Sequence, residues 1–489
     1  MRLPGSRQDP GRTPLSLSSR AETVRICDVQ EVKMEREMPL EEIFMRARGG
    51  TLPEGFSRWD LADASGETVA HAAAMERCLP EGFASWELRD ESGDTVAHVA
   101  AAAGPMPPDF KSWDLLDGFG DTVAHTAAEN GFLPKDWDDW DLKNQFGITV
   151  AHVAAENGFL PQGFSSWNLT DDRGRSVAHA AAKAGRLPED FNAWDNVDRY
   201  GNTVYHSAAY GGCLPESFDR WELRNQVGRS VAHIAARRGL LPQGLDLWKL
   251  TDGRGRTVAH EAAIGGHLPD GFNMWDMKDS DGRTVAHYAA LRGHLPEGLD
   301  LWGLRDNQGR TVAHDAARGG HLPKGSDLWE LRDDRGRTVA HIAAEECELP
   351  ADFSLWDMRD DEGRTVAHAA ALQGGLPSGF NQWDLADFEG RTVAHYAAFK
   401  GHLPESFSQW EMKDSEGNTV YHTAAKGGRL PEGFGLWELK NVEGKTVAHI
   451  AARSGHLPEN FDKMDLLDYC GVSVAEELKN FDPFLRMKF

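Results

Sequence analysis

Cysteine is scarce in this chain, with five among 489 residues, at Cys27, Cys78, Cys213, Cys347 and Cys470. They neither pair at short range nor show metal-site spacing, so they offer no disulfide framework, and a reducing compartment, the cytoplasm, is the expected location. No apolar run approaches the ~20 residues of a membrane-crossing helix, and no signal-peptide core opens the chain, so no membrane contact is expected. Positive charge is also in deficit. Lys and Arg number 52 against 77 Asp and Glu, a net charge of -25 that favours solubility and makes a nucleic-acid partner an unfavoured expectation.

A place where the pattern breaks to gather a nucleophile, a base and an orienting group is missing too, and such a break is what a catalytic site needs. What the chain has instead is repetition. From Leu52 to Gly471 one 27-residue phrase returns sixteen times without insertion or deletion, in the form L-P-x-[GDSN]-F-x-x-W-D-L-x-D-x-x-G-x-T-V-A-H-x-A-A-x-x-G. Sixteen prolines (Pro53 to Pro458), sixteen glycines (Gly66 to Gly471), fifteen tryptophans (Trp59 to Trp437) and fifteen histidines (His71 to His449) keep this register. Every His, Thr and Asp candidate recurs in every copy, so neither enzyme activity nor a cofactor is expected, and the His series reads as structural.

In the first half of the phrase, Thr (Ser at 176, 230 and 473) suits the N-cap of a two-turn helix. His stands three residues on, where a capping box has Glu or Gln, and Glu476 takes that place in the last copy. The helix is expected to end at Gly104, Gly131 and their equivalents, with Arg77 and Cys347 as exceptions. Counting Thr as zero, Val and Ala at one, two, five and six form a face for close stacking. Positions four, seven and eight vary and read as the opposite, outward face, with Tyr288, Leu291 and Arg292 in one copy and Tyr396, Phe399 and Lys400 in another.

In the second half, the letter that is always Gly, Asp, Ser or Asn (Gly55, Asp109, Ser217, Asn460) matches the N-cap set and predicts a short second helix carrying Phe56 and Trp59. Asp63 to Gly66 and its repeats predict a type I turn. The residue after Trp is acidic in thirteen of the sixteen copies, an outer solvated stripe. The residue after the turn Gly is Arg without interruption at Arg229, Arg256, Arg283, Arg310, Arg337, Arg364 and Arg391. This ladder either pairs with turn acids such as Asp252 and Asp279, a weak exposed interaction, or meets an acidic partner.

The phrase G-R-T-V-A-H-I-A-A beginning at Gly336 resembles the ankyrin repeat's G-x-T-P-L-H-x-A-A-x-x-G-H, and His267, His294, His321, His402 and His456 match the His after the closing Gly. The likeness covers the first helix and turn, about half of each copy. Val-Ala (Val-Tyr at Tyr205 and Tyr421) replaces Pro-Leu, and the copy has 27 residues against the family's roughly 33. The resemblance implies an all-α, right-handed-type solenoid of stacked helix-turn-helix repeats that binds a protein partner through turn tips and the variable helix face. The ladder Arg residues and the two variable trios above are the expected contacts. A nucleic-acid-related role, including acidic mimicry, and a purely structural spacer are the alternatives, and a monomer is expected.

Residues 38–51 align with the helical half-phrase but carry charge in place of the Ala pair, which suggests an N-terminal cap. Residues 472–489 read as a C-terminal cap and tail. Residues 1–37, rich in Arg, Ser and Pro, are expected to be disordered. Their composition weakly resembles a transit peptide, and a true start at Met34 or Met38 is the competing reading.

Overall fold

The computed structural model describes residues 38–479. The expectations for residues 1–37, and for the tail beyond 479, lie outside the described residues. Among the described residues there are seventeen α-helices and no β-strand; the sixteen repeats each add one isolated antiparallel bridge, such as Arg359↔Thr365. None of these helices is long and apolar enough to cross a membrane. The chain divides between Phe218 and Asp219 into two compact units. Within each, consecutive helices pack side by side along the sequence, a repeat arrangement.

One repeat shows how the sequence builds the element. Asp360 opens a turn closed by Gly363 N–H on its carbonyl at 3.0 Å, while its Oδ1 accepts the N–H groups of Glu362 and Arg364. Thr365 follows in extended conformation as the N-cap of the helix Val366–Gln373. A helix of eight residues leaves half of its N–H groups without intrahelical partners. Here the preceding W-D-M segment turns back and supplies two of the partners: Val366 N–H donates to the Met358 carbonyl at 3.1 Å and Ala367 N–H to that of Trp356 at 3.2 Å, while His368 and Ala369 donate to the Thr365 carbonyl. A helix too short to persist alone is thus completed by its own loop. Gly374, at φ +75°, ends it in the left-handed region.

The His of each repeat ties that cap to the next repeat. Thr365 N–H donates to His368 Nδ1 at 3.0 Å, which makes Nδ1 the acceptor and leaves the proton on Nε2. Nε2 then donates to the Arg391 carbonyl, 23 residues on, at 3.0 Å. The same bridge recurs from His71 to Asp94 and from His449 to Val472, at 3.0 Å in each case. In the last repeat Ser473 N–H donates instead to Glu476 Oε2 at 2.8 Å, so His and Glu do exchange in one capping task.

The second helix expected of each repeat does not form. Gly55 stands at φ +83° inside a turn in which Phe56 N–H donates to the Pro53 carbonyl at 3.1 Å, and the next turn carries Trp59. Among the described residues only Leu328–Glu330 makes a single 3₁₀ turn there. Gly, Asp, Ser and Asn are turn residues as well as N-cap residues, and with three residues between that letter and the W-D pair the turn prevails. The helix-turn-helix expectation is therefore corrected to one helix and a pair of turns per repeat.

Phe and Trp from these turns supply the area a second helix would have given. In the first compact unit Phe56, Trp59, Phe83 and Trp86 meet edge to face at 5.1, 5.3 and 5.0 Å, alternating within and between repeats. Behind this file lie the fully buried Val and Ala positions, for example Val69 and Ala70. Some helices approach more closely than others. A Cβ on Gly427 would stand 2.0 Å from the Phe399 carbonyl oxygen of the preceding helix, and one on Gly211 equally close to that of Lys183. At the N-terminal end of the described chain, the helix Leu40–Arg48 buries Ile43, Phe44 and Ala47 against Val69 and Ala72, with Glu42 and Arg46 paired outside at 2.7 Å.

Candidate functional site

The Arg ladder is bound up in the fold. Arg310, Arg337, Arg364 and Arg391 reach back to the buried turn acids Asp306, Asp333, Asp360 and Asp387 at 2.8 to 3.0 Å. Burial alone would raise the Asp306 carboxyl; the Gln308 N–H and the Arg310 guanidinium outweigh it, and the group lies below its ordinary value. Arg256 holds Asp252 at 3.1 Å and also Glu261, which Arg229 meets at 2.7 Å and which is fully buried on the helix Val258–Gly265. Arg283 departs from the pattern. The Tyr288 hydroxyl donates to Asp279 Oδ2 at 2.8 Å, and Arg283 lies over the Tyr288 ring at 4.5 Å and pairs with buried Asp315 at 2.9 Å.

The variable helix face also needs correction. Tyr396 is only 3% exposed and Phe399 7%, and the Tyr396 ring packs edge to face on His368 of the preceding repeat at 4.8 Å. Tyr288 and Leu291 are half-buried, and Arg292 and Lys400 remain exposed. Position four therefore faces the neighbouring repeat and not solvent, because the helix is flanked on both sides. The Tyr396 hydroxyl donates to Asp387 at 2.9 Å, and burial, against the opposing charge of Arg391, pushes the phenol above its ordinary value. The imidazoles are equally committed. Burial pushes His368 down to about 4, although its bond to the Arg391 carbonyl favours the charged form. Held neutral and with both ring nitrogens engaged, it has no lone pair left for a ligand.

What remains outward is the row of turn tips. In the second compact unit the N–H of the second turn residue donates to the carbonyl of the third residue of the preceding turn, as Phe388 to Glu362 at 3.2 Å and Val442 to Glu416 at 3.0 Å. These bonds hold successive tips in register. On them stand large apolar side chains with little cover: Phe388 at 73%, Tyr469 at 70% and Val442 at 64% exposure. The first compact unit carries Phe119, Phe146 and Tyr200 on its own tips, all exposed.

These tip residues were not singled out from the sequence, although the signal was there: an aromatic between a turn Asp or Asn and its Gly, where polar residues prevail. Glu261 and Asp315 were missed as well. Each lies 32 residues after a ladder Arg, at a helix position otherwise held mostly by apolar or hydroxyl residues.

No protein-family model matches the chain, and no curated protein is significantly similar to it.

Proposed function

We propose that this chain is a non-enzymatic scaffold that binds a protein partner through the turn tips of its repeats, with exposed helix-end residues such as Arg292 and Lys400 at the margin. The observation carrying this reading is the set of uncovered Phe, Tyr and Val side chains on hydrogen-bonded tips, since aromatic anchors on a rigid frame are what protein interfaces use. The T-V-A-H-x-A-A cap supports an ankyrin-like relationship, and with it the right-handed stacking of that family. The ladder Arg residues act in this reading as internal ties, so direct nucleic-acid contact through them is disfavoured: seven guanidiniums already paired with carboxylates release few counterions. Free thiols at Cys78, Cys213, Cys347 and Cys470 fit a reducing cytoplasm.

Affinity capture from the source cell, comparing the parent with the double variant Phe388→Ser and Tyr469→Ser, tests the proposal. The variant should keep its far-UV circular dichroism and lose at least tenfold in recovered partner. Undiminished recovery overturns it.

A further inference from the structure

The most exposed apolar tip residues of the second compact unit stand where that unit is most acidic. Each repeat offers a tip segment running from the residue after Trp, or after Met464 in the last repeat, to the residue after the turn Gly. In the four repeats from Lys249 to Arg337 these segments hold eight Asp and Glu against ten Lys and Arg. In the five from Asp357 to Val472 they hold fourteen against six, and Phe388, Val442 and Tyr469 all belong to this acidic set.

The acid reaches the tips themselves. The third turn residue is Glu in four successive repeats, at Glu362, Glu389, Glu416 and Glu443, and in no other repeat of the chain. The carbonyls of these residues accept the N–H groups of Phe388, Ser415, Val442 and Tyr469 at 2.9 to 3.2 Å, so each Glu is held beside the second residue of the next tip. Arg364, Arg391, Asn418 and Lys445 meet the four carboxylates at 3.2, 2.9, 3.1 and 2.7 Å, each through Oε2. Glu362, Glu389 and Glu443 nonetheless stay more than half exposed. A cation already stands on one of the tip rings: Lys440 lies over Tyr469 at 5.0 Å, the contact an aromatic face offers to an ammonium or guanidinium.

We propose that this face docks a Lys- or Arg-rich segment of a protein partner that also carries apolar side chains, the apolar groups against Phe388, Val442 and Tyr469 and the cations against the tip glutamates. The inference rests on the scaffold reading and adds the chemistry of the partner. Apolar contact alone would not choose among partners. The excess of carboxylates does, because an acidic segment, a nucleic acid or an anionic lipid surface is repelled along the whole face. The net charge of -25 steers encounters in the same direction. Tips one repeat apart lie ~8 to 10 Å from each other, the usual separation of packed helices. Three residues of extended chain cover about 10 Å, so a segment with one cation and one apolar side chain in every three residues meets successive tips in phase.

The full chain is titrated calorimetrically with a capped peptide of four Lys-Phe-Gly units and, separately, with its Lys-Ser-Gly and Glu-Phe-Gly counterparts. The first should saturate, bind at least tenfold more tightly than the second, and weaken at least tenfold between about 50 and about 300 mM NaCl; the third should not bind. The triple variant Glu389→Gln, Glu416→Gln and Glu443→Gln should weaken the first peptide at least tenfold. The double variant Asp281→Asn and Asp334→Asn, on the less acidic tips, should leave it within twofold. Absent saturation, equal binding of the Ser peptide, saturation by the Glu peptide, a flat salt response or an undiminished triple variant overturns the proposal. The peptide and salt series are read on the parent chain, so they decide the matter even if the triple variant melts lower. A captured partner lost from the Phe388→Ser and Tyr469→Ser variant, while the peptides fail to discriminate, removes this inference and leaves the scaffold reading standing.

Discussion

The imidazole of most repeats carries a charge restriction along with its two bonds. Twelve ladder histidines, from His98 to His422, have their pKa lowered, each chiefly by burial. An unfolded His titrates near 6.5, so below that pH the unfolded chain takes up protons that the folded chain refuses. Stability should be whole above about pH 6.5 and be lost progressively towards pH 4, where His368 and His422 titrate in the fold. The urea midpoint measured from pH 7.5 to 4.5 checks this, and a flat profile would contradict the neutral, Nε2-protonated assignment. The buried acid Glu261 makes the second prediction at this scale. Truncation to Ala leaves Arg229 and Arg256 facing a void, and breaking a buried pair in this way costs ~3 to 5 kcal/mol. Glu261→Ile, which borrows the residue at Ile234, Ile342 and Ile450, should cost less than half as much in the same denaturation series.

At the level of the element, the short helix depends on what its loop and its ends provide. Thr365→Ala removes the hydroxyl partner of His368 and should destabilise by ~1 to 2 kcal/mol, as cap deletions do. The end residues predict opposite signs for changes that look alike. Gly427→Ala in an ordinary helix would stabilise by ~1 kcal/mol, but here the new methyl meets the Phe399 carbonyl, so a lower thermal midpoint is expected. Cys347 stands at φ +61°, where a side chain is strained, and Cys347→Gly should raise the midpoint by the equivalent of ~1 kcal/mol. The helix, its Thr cap, its Gly end and both exceptions to that Gly were legible in the sequence because each uses a residue with a narrow conformational preference. The second half was misread because Gly, Asp, Ser and Asn serve two structures. Tyr396 was misread for another reason: variability was taken as exposure, whereas position four packs against the neighbouring repeat, Tyr396 on the recurrent His368.

Across the whole molecule, the repeat, its 27-residue phase and the outward turn tips could be read from sequence, while the exposed apolar residues on those tips could not, since they stand at positions that vary from copy to copy. Near-neighbour packing within each compact unit makes stability approximately a sum over repeats and their interfaces. Deleting residues 336–362 joins Arg335 to Gly363 in phase and should leave a cooperatively melting protein with undiminished helicity per residue. Removing about half that length should abolish cooperative melting, and circular dichroism separates the two. The exchange at Glu476 has a further meaning for how such an array stops. A carboxylate can finish its own helix, but it has no proton to offer onward and would repel the carbonyl of any following copy. The series thus carries a chain terminator one side chain wide, and Glu476→His followed by grafted repeats is the edit that would let it be lengthened.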